Sequence, residues 1–305
     1  MPVERRTIVF PHPLLAGVEH PAFEVRGAAA GPRLALIGGV HGCEYSSIAA
    51  VTRVVNELDP DDLAGSITAV PVVSMRSFER RSPFVVPEDG KNLNRCFPGS
   101  YDGTYSDVLA RSLFDELIAP ADALVDLHGG DLVEALEPFA LYDASPVEER
   151  ARELAVAFGL PYVVRQEPQE GELGGMTSSA AAAAGIPAII AEAGGIGQLE
   201  ESVVALLADG VRNVLRSLGM LPGPVEPPPA GMREVGRSVW LRCEHAGWWE
   251  SAARAGEELA AGTLLGRVRN LWGDVLEELH APADGVVLFL TTSASVAEDG
   301  LLLGL

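Results

Sequence analysis

Leu34-Ala35-Leu36-Ile37-Gly38-Gly39-Val40-His41-Gly42-Cys43-Glu44 is the stretch that decides the fold class. Four apolar residues in a row, closed by a glycine pair, read as a buried strand that stops abruptly. The following segment, Ser46 to Leu58, carries Ile48, Val51, Val54, Val55 and Leu58 at helical spacing and ends at Asp59-Pro60-Asp61. A buried strand feeding a helix is the unit of an α/β sheet, and open sheets of that class bind ligands beyond the carboxyl ends of their strands. His41 and Glu44 stand at that edge. Taken alone, the segment is also compatible with a plain turn, its glycines supplying positive φ and Glu44 complementing a helix amino terminus.

A second strand end tips the balance. Ala123-Leu124-Val125-Asp126-Leu127-His128 repeats the pattern of an apolar run delivering a polar group at its carboxyl end. His41, Glu44 and His128 together make a three-ligand zinc set, one ion per chain, that leaves a fourth position open for water. Asp126 shares a strand face with His128, so it is placed to orient a group in the same pocket; a satisfied buried carboxylate is the alternative. Glu192 closes a third apolar run, Ile186 to Ala191, and precedes Gly194-Gly195. A carboxylate there is costly unless paired or used, which makes it either a salt-bridged helix cap or a general base.

Asn92-Leu93-Asn94-Arg95-Cys96-Phe97-Pro98-Gly99 places a planar guanidinium beside an amide, donors that suit a carboxylate. By itself this is a surface turn. Cys43, between two ligand candidates, reads as a small packing residue rather than a nucleophile.

The rest of the chain alternates strands and helices. Strands are expected at Ile67–Val73, Phe139–Tyr142 and Pro161–Val164. Helices are expected at Ser106–Ile118, Pro146–Phe158, Ser178–Ala184 and Gln198–Leu218. A polar loop from Ser77 to Tyr105 is long enough to be functional. Three regions follow from these patterns: an α/β domain over 1–221, a stiff proline-rich linker over 222–229, and a small all-β domain over 230–305 with short apolar runs punctuated by glycine. That last region holds no lysine, which excludes a lysine-linked lipoyl or biotin group there.

Bulk properties narrow the partners. The chain has 305 residues, 48% of them hydrophobic, and a formal net charge of −21. Such a charge argues against nucleic acid and anionic membrane surfaces, and it obliges an anionic substrate to find a local positive site. The segment around Lys91 and Arg95 supplies one. No apolar stretch approaches the roughly 20 residues that span a bilayer, and Met1-Pro2-Val3-Glu4-Arg5-Arg6 lacks a signal-peptide apolar core. Three scattered cysteines suggest no disulfide framework, so a reducing cytoplasm is the simplest location. Homo-oligomerisation is left open.

Four motifs in register, Gly39 to Glu44, Asn92 to Gly99, Asp126 to His128 and Gly185 to Glu192, resemble the succinylglutamate desuccinylase/aspartoacylase family, relatives of the zinc carboxypeptidases. The resemblance covers most of residues 30–220. It implies a mixed sheet flanked by helices, zinc on His41, Glu44 and His128, Glu192 as the proton shuttle, and Asn94 and Arg95 holding a substrate carboxylate. The implied activity is hydrolysis of a small N-acyl amino acid. A carboxypeptidase acting on peptides and a non-catalytic zinc or ligand-binding protein are the competing readings.

Three departures from the family pattern stand out. The arginine expected to polarise the scissile carbonyl is displaced, leaving Arg81 as the candidate. Asn92 stands where aspartoacylase-like members carry aspartate. Every tyrosine lies at or before Tyr162, so the β domain offers the substrate no tyrosine.

Overall fold

The computed structural model describes residues 3–167, 175–236 and 238–305; Met1 and Pro2 of the amino-terminal reading lie outside that range. A nine-stranded sheet forms its centre. Its strands are β1 (Glu4–Ile8), β2 (His20–Arg26), β3 (Ala29–Gly38), β4 (Ala64–Val70), β5 (Ala123–His128), β7 (Phe139–Asp143), β8 (Tyr162–Gln166), β9 (Ala188–Glu192) and β10 (Arg233–Val235), while the short β6 (Glu134–Leu136) belongs to another sheet. The spatial order is β1-β2-β4-β3-β5-β9-β7-β8-β10. β4, β3, β5 and β9 run parallel, and β7 turns antiparallel against β9, so the sheet is mixed, as expected.

Apolar residues on alternate sides of the strands build two helical layers. Leu34 and Leu36 of β3 and Val125 and Leu127 of β5 face α1 (Tyr45–Glu57), α4 (Glu148–Phe158) and α6 (Glu201–Ser217). Ala35 and Ile37 of β3 and Leu124 of β5 face α3 (Tyr105–Leu113) and α5 (Thr177–Ala183). The two-residue period therefore sends Asp126 and His128 to the α5 side together. This double coverage explains why β3 and β5 read as continuous apolar runs.

The expected elements between residues 34 and 218 are present, with ends shifted by a few residues. The loop expected from Ser77 to Tyr105 starts with a short helix, α2 (Met75–Arg80). The helix expected to reach Ile118 regularly changes to a wider turn at Phe114–Ile118. β1 is mostly exposed and β2 mixes buried with exposed residues, so neither offers an apolar run to detect.

The carboxy-terminal strands are β11 (Trp240–Arg242), β12 (Gly247–Ser251), β13 (Glu258–Leu259), β14 (Leu264–Arg269), β15 (Val275–His280), β16 (Gly285–Val286), β17 (Phe289–Thr291), β18 (Ser295–Val296) and β19 (Leu301–Gly304). They form further small antiparallel sheets around Trp249, Leu265, Val268 and Leu302. The two parts of the chain interlock. β10, which follows the proline-rich segment, joins the large sheet beside β8. In return, β6 pairs with β17, placing Glu134 opposite Thr291.

Candidate active site

The carboxyl ends of β3, β5 and β9 lie side by side, with Gly38 opposite Leu127 and His128 opposite Glu192. β3 has β4 on one side and β5 on the other, so the chain changes direction across the sheet at this point and opens a crevice. The turn after β3 needs two glycines for different reasons. Gly39 has φ of 59°, whereas a Cβ on Gly42 would lie 2.1 Å from the Phe78 amide nitrogen. α2 is thereby drawn against the turn that carries His41.

Glu44 precedes the first turn of α1 but makes no side-chain cap there. Its buried carboxylate lies between two imidazoles, with Oε1 2.7 Å from His41 Nδ1 and Oε2 3.2 Å from His128 Nδ1. Oε2 also accepts the Gly129 amide at 3.2 Å. The other ring nitrogens are taken. His41 Nε2 lies 3.0 Å from Asn92 Oδ1, and His128 Nε2 lies 3.0 Å from Asp126 Oδ2. Both oxygens accept, so each Nε2 carries the proton and each Nδ1 is left to the cluster. One donor atom from each of His41, Glu44 and His128 falls within 4.8 Å of the others, and the set matches a three-ligand metal site.

The charges of this cluster are interdependent. Burial opposes ionisation of Glu44, but His128 and His41 outweigh it and hold the carboxyl down at about 2. Burial likewise opposes the charged form of His128, yet Asp126 and Glu44 raise it well above its ordinary value. His41 is raised too, with burial overcome chiefly by Glu44. Glu192 moves the other way from Glu44. Burial lifts it to about 7, opposed by His128 and reinforced by Glu44.

A cavity of about 160 Å³ opens in front of the cluster, with His41, Glu44, Asn94, Arg95 and Glu192 at its polar end. Asn94 is buried and its Oδ1 accepts the Thr177 amide at 3.0 Å, which ties the Asn-Arg loop to the start of α5. Arg95 donates through Nη1 to the Asn94 carbonyl at 2.8 Å, and its guanidinium lies 6.0 Å from the Trp240 ring centroid. Much of the remaining wall is apolar, with Leu141, Val164, Met176 and Ile190, and Gln166 stands beside Met176. In place of a tyrosine, the carboxy-terminal strands contribute Trp240 and Phe289, packed edge to face at 5.2 Å.

Of the residues singled out in the sequence, His41, Glu44, Asn94, Arg95 and Glu192 line one cavity, with His128 buried behind it. Arg81 does not join them. It caps α2 in the left-handed region at φ of 53°, its side chain is exposed, and its charge acts on Cys43 and Tyr45. The wall on that side is Phe84, whose ring lies edge-on to His41 at 6.1 Å. Cys43 is buried, and burial pushes its thiol up to about 11, consistent with packing rather than nucleophilic use.

Two carboxylates of the site have no counterpart among the motifs of the sequence. Asp131 accepts the Phe84 amide at 2.7 Å and the Leu132 amide at 2.6 Å, so it holds the positive-φ Phe84 in place. Glu134 faces the cavity from β6, and burial with Glu192 and Glu44 nearby lifts it to about 8. The only sequence signal for either is a charged residue close behind His128-Gly129-Gly130, with no partner spacing to interpret it.

Known proteins share this architecture. A product-bound structure of the ectoine utilization protein EutE (DoeB) from Ruegeria pomeroyi superposes with a TM-score of 0.85 at 26% identity, covering 99% of this chain and 95% of that one. A succinylglutamate desuccinylase/aspartoacylase crystal structure from Rhodobacter sphaeroides gives 0.83 at 27% identity, with coverage of 99% and 93%. N-alpha-acetyl-L-2,4-diaminobutyric acid deacetylase of Halomonas elongata is 30% identical over 276 residues, 87% of this chain and 79% of the relative. The family model for the succinylglutamate desuccinylase/aspartoacylase catalytic domain matches residues 30–218, the segment that carries every ligand candidate and Glu192. The chain therefore belongs to the succinylglutamate desuccinylase/aspartoacylase family.

Proposed function

We propose that this protein is a zinc-dependent deacylase that hydrolyses the amide bond of a small N-acyl amino acid. The observation that carries this reading is the convergence of His41 Nδ1, His128 Nδ1 and the Glu44 carboxylate at the polar end of a cavity that Glu192 and Arg95 also line. The donor set fits the ion: two imidazoles, able to bind it in their neutral form with their outer nitrogens held by Asn92 and Asp126, plus one carboxylate held by the Gly129 amide. When bound, zinc supplies Lewis-acid polarisation of the amide carbonyl and acidifies a water molecule.

The protein groups do the rest. Glu192 stands at a carboxylate value of about 7, suited both to taking a proton from the attacking water and to returning it to the departing amine nitrogen. Asn94, anchored by Thr177, and Arg95 bind the substrate carboxylate. Among the described residues, Arg95 is the only guanidinium in the inner cavity wall, so the carbonyl-polarising role given to Arg81 would require that side chain to move. The division into a domain over 1–221, a linker over 222–229 and a β domain over 230–305 is part of this reading, with the last narrowing the entrance through Trp240 and Phe289.

The Halomonas relative is a deacetylase of an N-acyl amino acid, which supports the same class here. An inner cavity of about 160 Å³ suits a small amide better than an extended peptide. The test is a panel of N-acyl amino acids and carboxy-terminally varied peptides with the metal-loaded protein. Turnover of the former, lost in Glu192→Ala with about one zinc per chain retained, is expected. Full activity in Glu192→Ala, or cleavage confined to peptides, would overturn the assignment.

A further inference from the structure

We infer that Thr177 is a positioning residue shared by the metal centre and the substrate-carboxylate site. Its hydroxyl fixes the carboxylate behind His128, and its amide turns the Asn94 side chain toward the substrate. The inference rests on the deacylase reading above and adds to it a residue that lies behind the cavity wall.

Thr177 opens α5 and is fully buried. Its hydroxyl does not cap the helix. Instead, Oγ1 lies 2.5 Å from Asp126 Oδ2, and because a carboxylate only accepts, the hydroxyl is the donor. The same oxygen takes the His128 Nε2 proton at 3.0 Å, while Oδ1 is buried with no partner. Among the described residues, His128 and Thr177 are thus the two groups that hold this carboxylate. Without the hydroxyl, nothing stops Asp126 from rotating about its bond to the imidazole, and the ring loses a fixed support.

The second arm is the backbone. The Thr177 amide donates to Asn94 Oδ1 at 3.0 Å. A backbone amide cannot accept, so the oxygen of Asn94 faces it and the two Nδ2 protons are left to the cavity that Asn94 lines. That orientation makes Asn94 a donor for a carboxylate. The two arms are held in fixed relation, because the Asn-Arg loop lies flat on the segment entering α5. Gly175 has φ of 82°, a Cβ on it would lie 2.3 Å from the Arg95 carbonyl oxygen, and its own carbonyl accepts the Phe97 amide at 2.9 Å.

From Asn94 the hydrogen bonds continue to the other imidazole. The Asn94 amide donates to Asn92 Oδ1 at 2.9 Å, and the same oxygen accepts from His41 Nε2 at 3.0 Å. One chain therefore runs from His41 through Asn92, Asn94, Thr177 and Asp126 to His128, with each donor facing an acceptor. It joins the outer nitrogens of both ligand histidines and passes through the residue that binds the substrate. Thr177 is the link between its two halves. A buried polar chain fixes its members when all of them are satisfied, so loss of the central hydroxyl should be felt at the metal.

The experiment compares the wild type with Thr177→Val, which removes the hydroxyl and keeps the amide, and with Thr177→Ser, which keeps both. Chelator competition should show zinc affinity about tenfold weaker in the valine variant, the lower end for partners of ligand histidines, and within about threefold of wild type in the serine variant. In zinc-saturated protein acting on its best N-acyl amino acid, kcat should fall about tenfold in Thr177→Val with KM within about twofold, since the amide arm still sets Asn94. A residue that only stabilised the fold would lower the melting temperature without this split. Unchanged or tighter zinc binding in Thr177→Val, or equal losses in the valine and serine variants, overturns the proposal whatever the activity. A raised KM with kcat unchanged overturns the division between the two arms. If zinc affinity follows the expected pattern but no amide is hydrolysed, the deacylase reading fails while the role at the metal stands; a wild type that binds no zinc sinks both. Thr177→Ala removes the same hydroxyl without setting a methyl group against a carboxylate, and it takes the place of the valine variant should that one fail to fold.

Discussion

The two groups behind the imidazoles allow a paired test with opposite signs. Asp126 is fully buried, and one of its oxygens, Oδ2, receives both the His128 Nε2 proton at 3.0 Å and the Thr177 hydroxyl at 2.5 Å. The other oxygen, Oδ1, has no hydrogen-bond partner. Asp126→Asn can therefore place its carbonyl oxygen at the occupied position and keep both bonds, losing the negative charge and little else. A carboxylate behind a ligand histidine raises its basicity, and changes to such partners weaken metal binding by about 10- to 100-fold, or roughly 1.4–2.7 kcal/mol. Asn92 offers the reverse change, since its Oδ1 accepts from His41 Nε2 at 3.0 Å and from the Asn94 amide at 2.9 Å. Asn92→Asp keeps both bonds and adds the charge, so zinc affinity should rise by about tenfold. Competition against a chromophoric chelator at fixed pH and salt measures both, with circular dichroism checking the fold. Wild-type affinity in both variants, or tighter binding by Asp126→Asn, would refute the idea that these oxygens tune the imidazoles.

Further changes probe the supports of the site. The metal-free protein should lose stability as pH rises from 6 to 9. Glu192 and Glu134 have folded values of about 7 and 8, above the ordinary carboxylate range, so the folded state favours their protonated forms and loses that advantage as pH rises through these values. His41 and His128 are also raised, and their contribution likewise disappears above the unfolded imidazole value. Glu44, held at about 2, is ionised throughout this range and adds no slope. Thermal melts of chelator-treated protein should show a fall of about 5 °C or more, and a flat or rising profile would contradict the charge assignment. Gly42→Ala pushes a methyl group into the Phe78 backbone and should cost about 1–3 kcal/mol in denaturant unfolding while weakening zinc binding. Asn213→Ala removes bonds to the Ala157 carbonyl and to both backbone groups of Glu226, so unfolding should show a loss of about 2 kcal/mol with zinc affinity unchanged.

Much of the site is legible in the sequence because local rules place it. β3, β5 and β9 read as apolar runs since helices cover both of their faces, and a polar residue ending such a run marks the ligand edge of the sheet. Two-residue periodicity is enough to put Asp126 on the face of His128. The spacing of His41 and Glu44 fits a turn entering a helix. These are short-range properties, carried by residues close together in the chain, and the order of the strands is the only long-range fact they require.

The α/β class and the set of groups that meet at the strand ends are therefore readable from the order of residues. What surrounds them depends on how distant segments pack in three dimensions. Arg81 is near the site in sequence, yet the left-handed cap of α2 leaves it outside the cavity wall, where Phe84 stands instead. Glu134 carries no readable signal because its position depends on β6 pairing with β17, more than 150 residues onward. Trp240 and Phe289 enter the cavity only because β10 returns to the large sheet and β6 leaves it. Catalytic atoms follow from local chemistry at strand ends, whereas the shape and charge that select a substrate arise from contacts between distant segments, which periodicity and spacing cannot report.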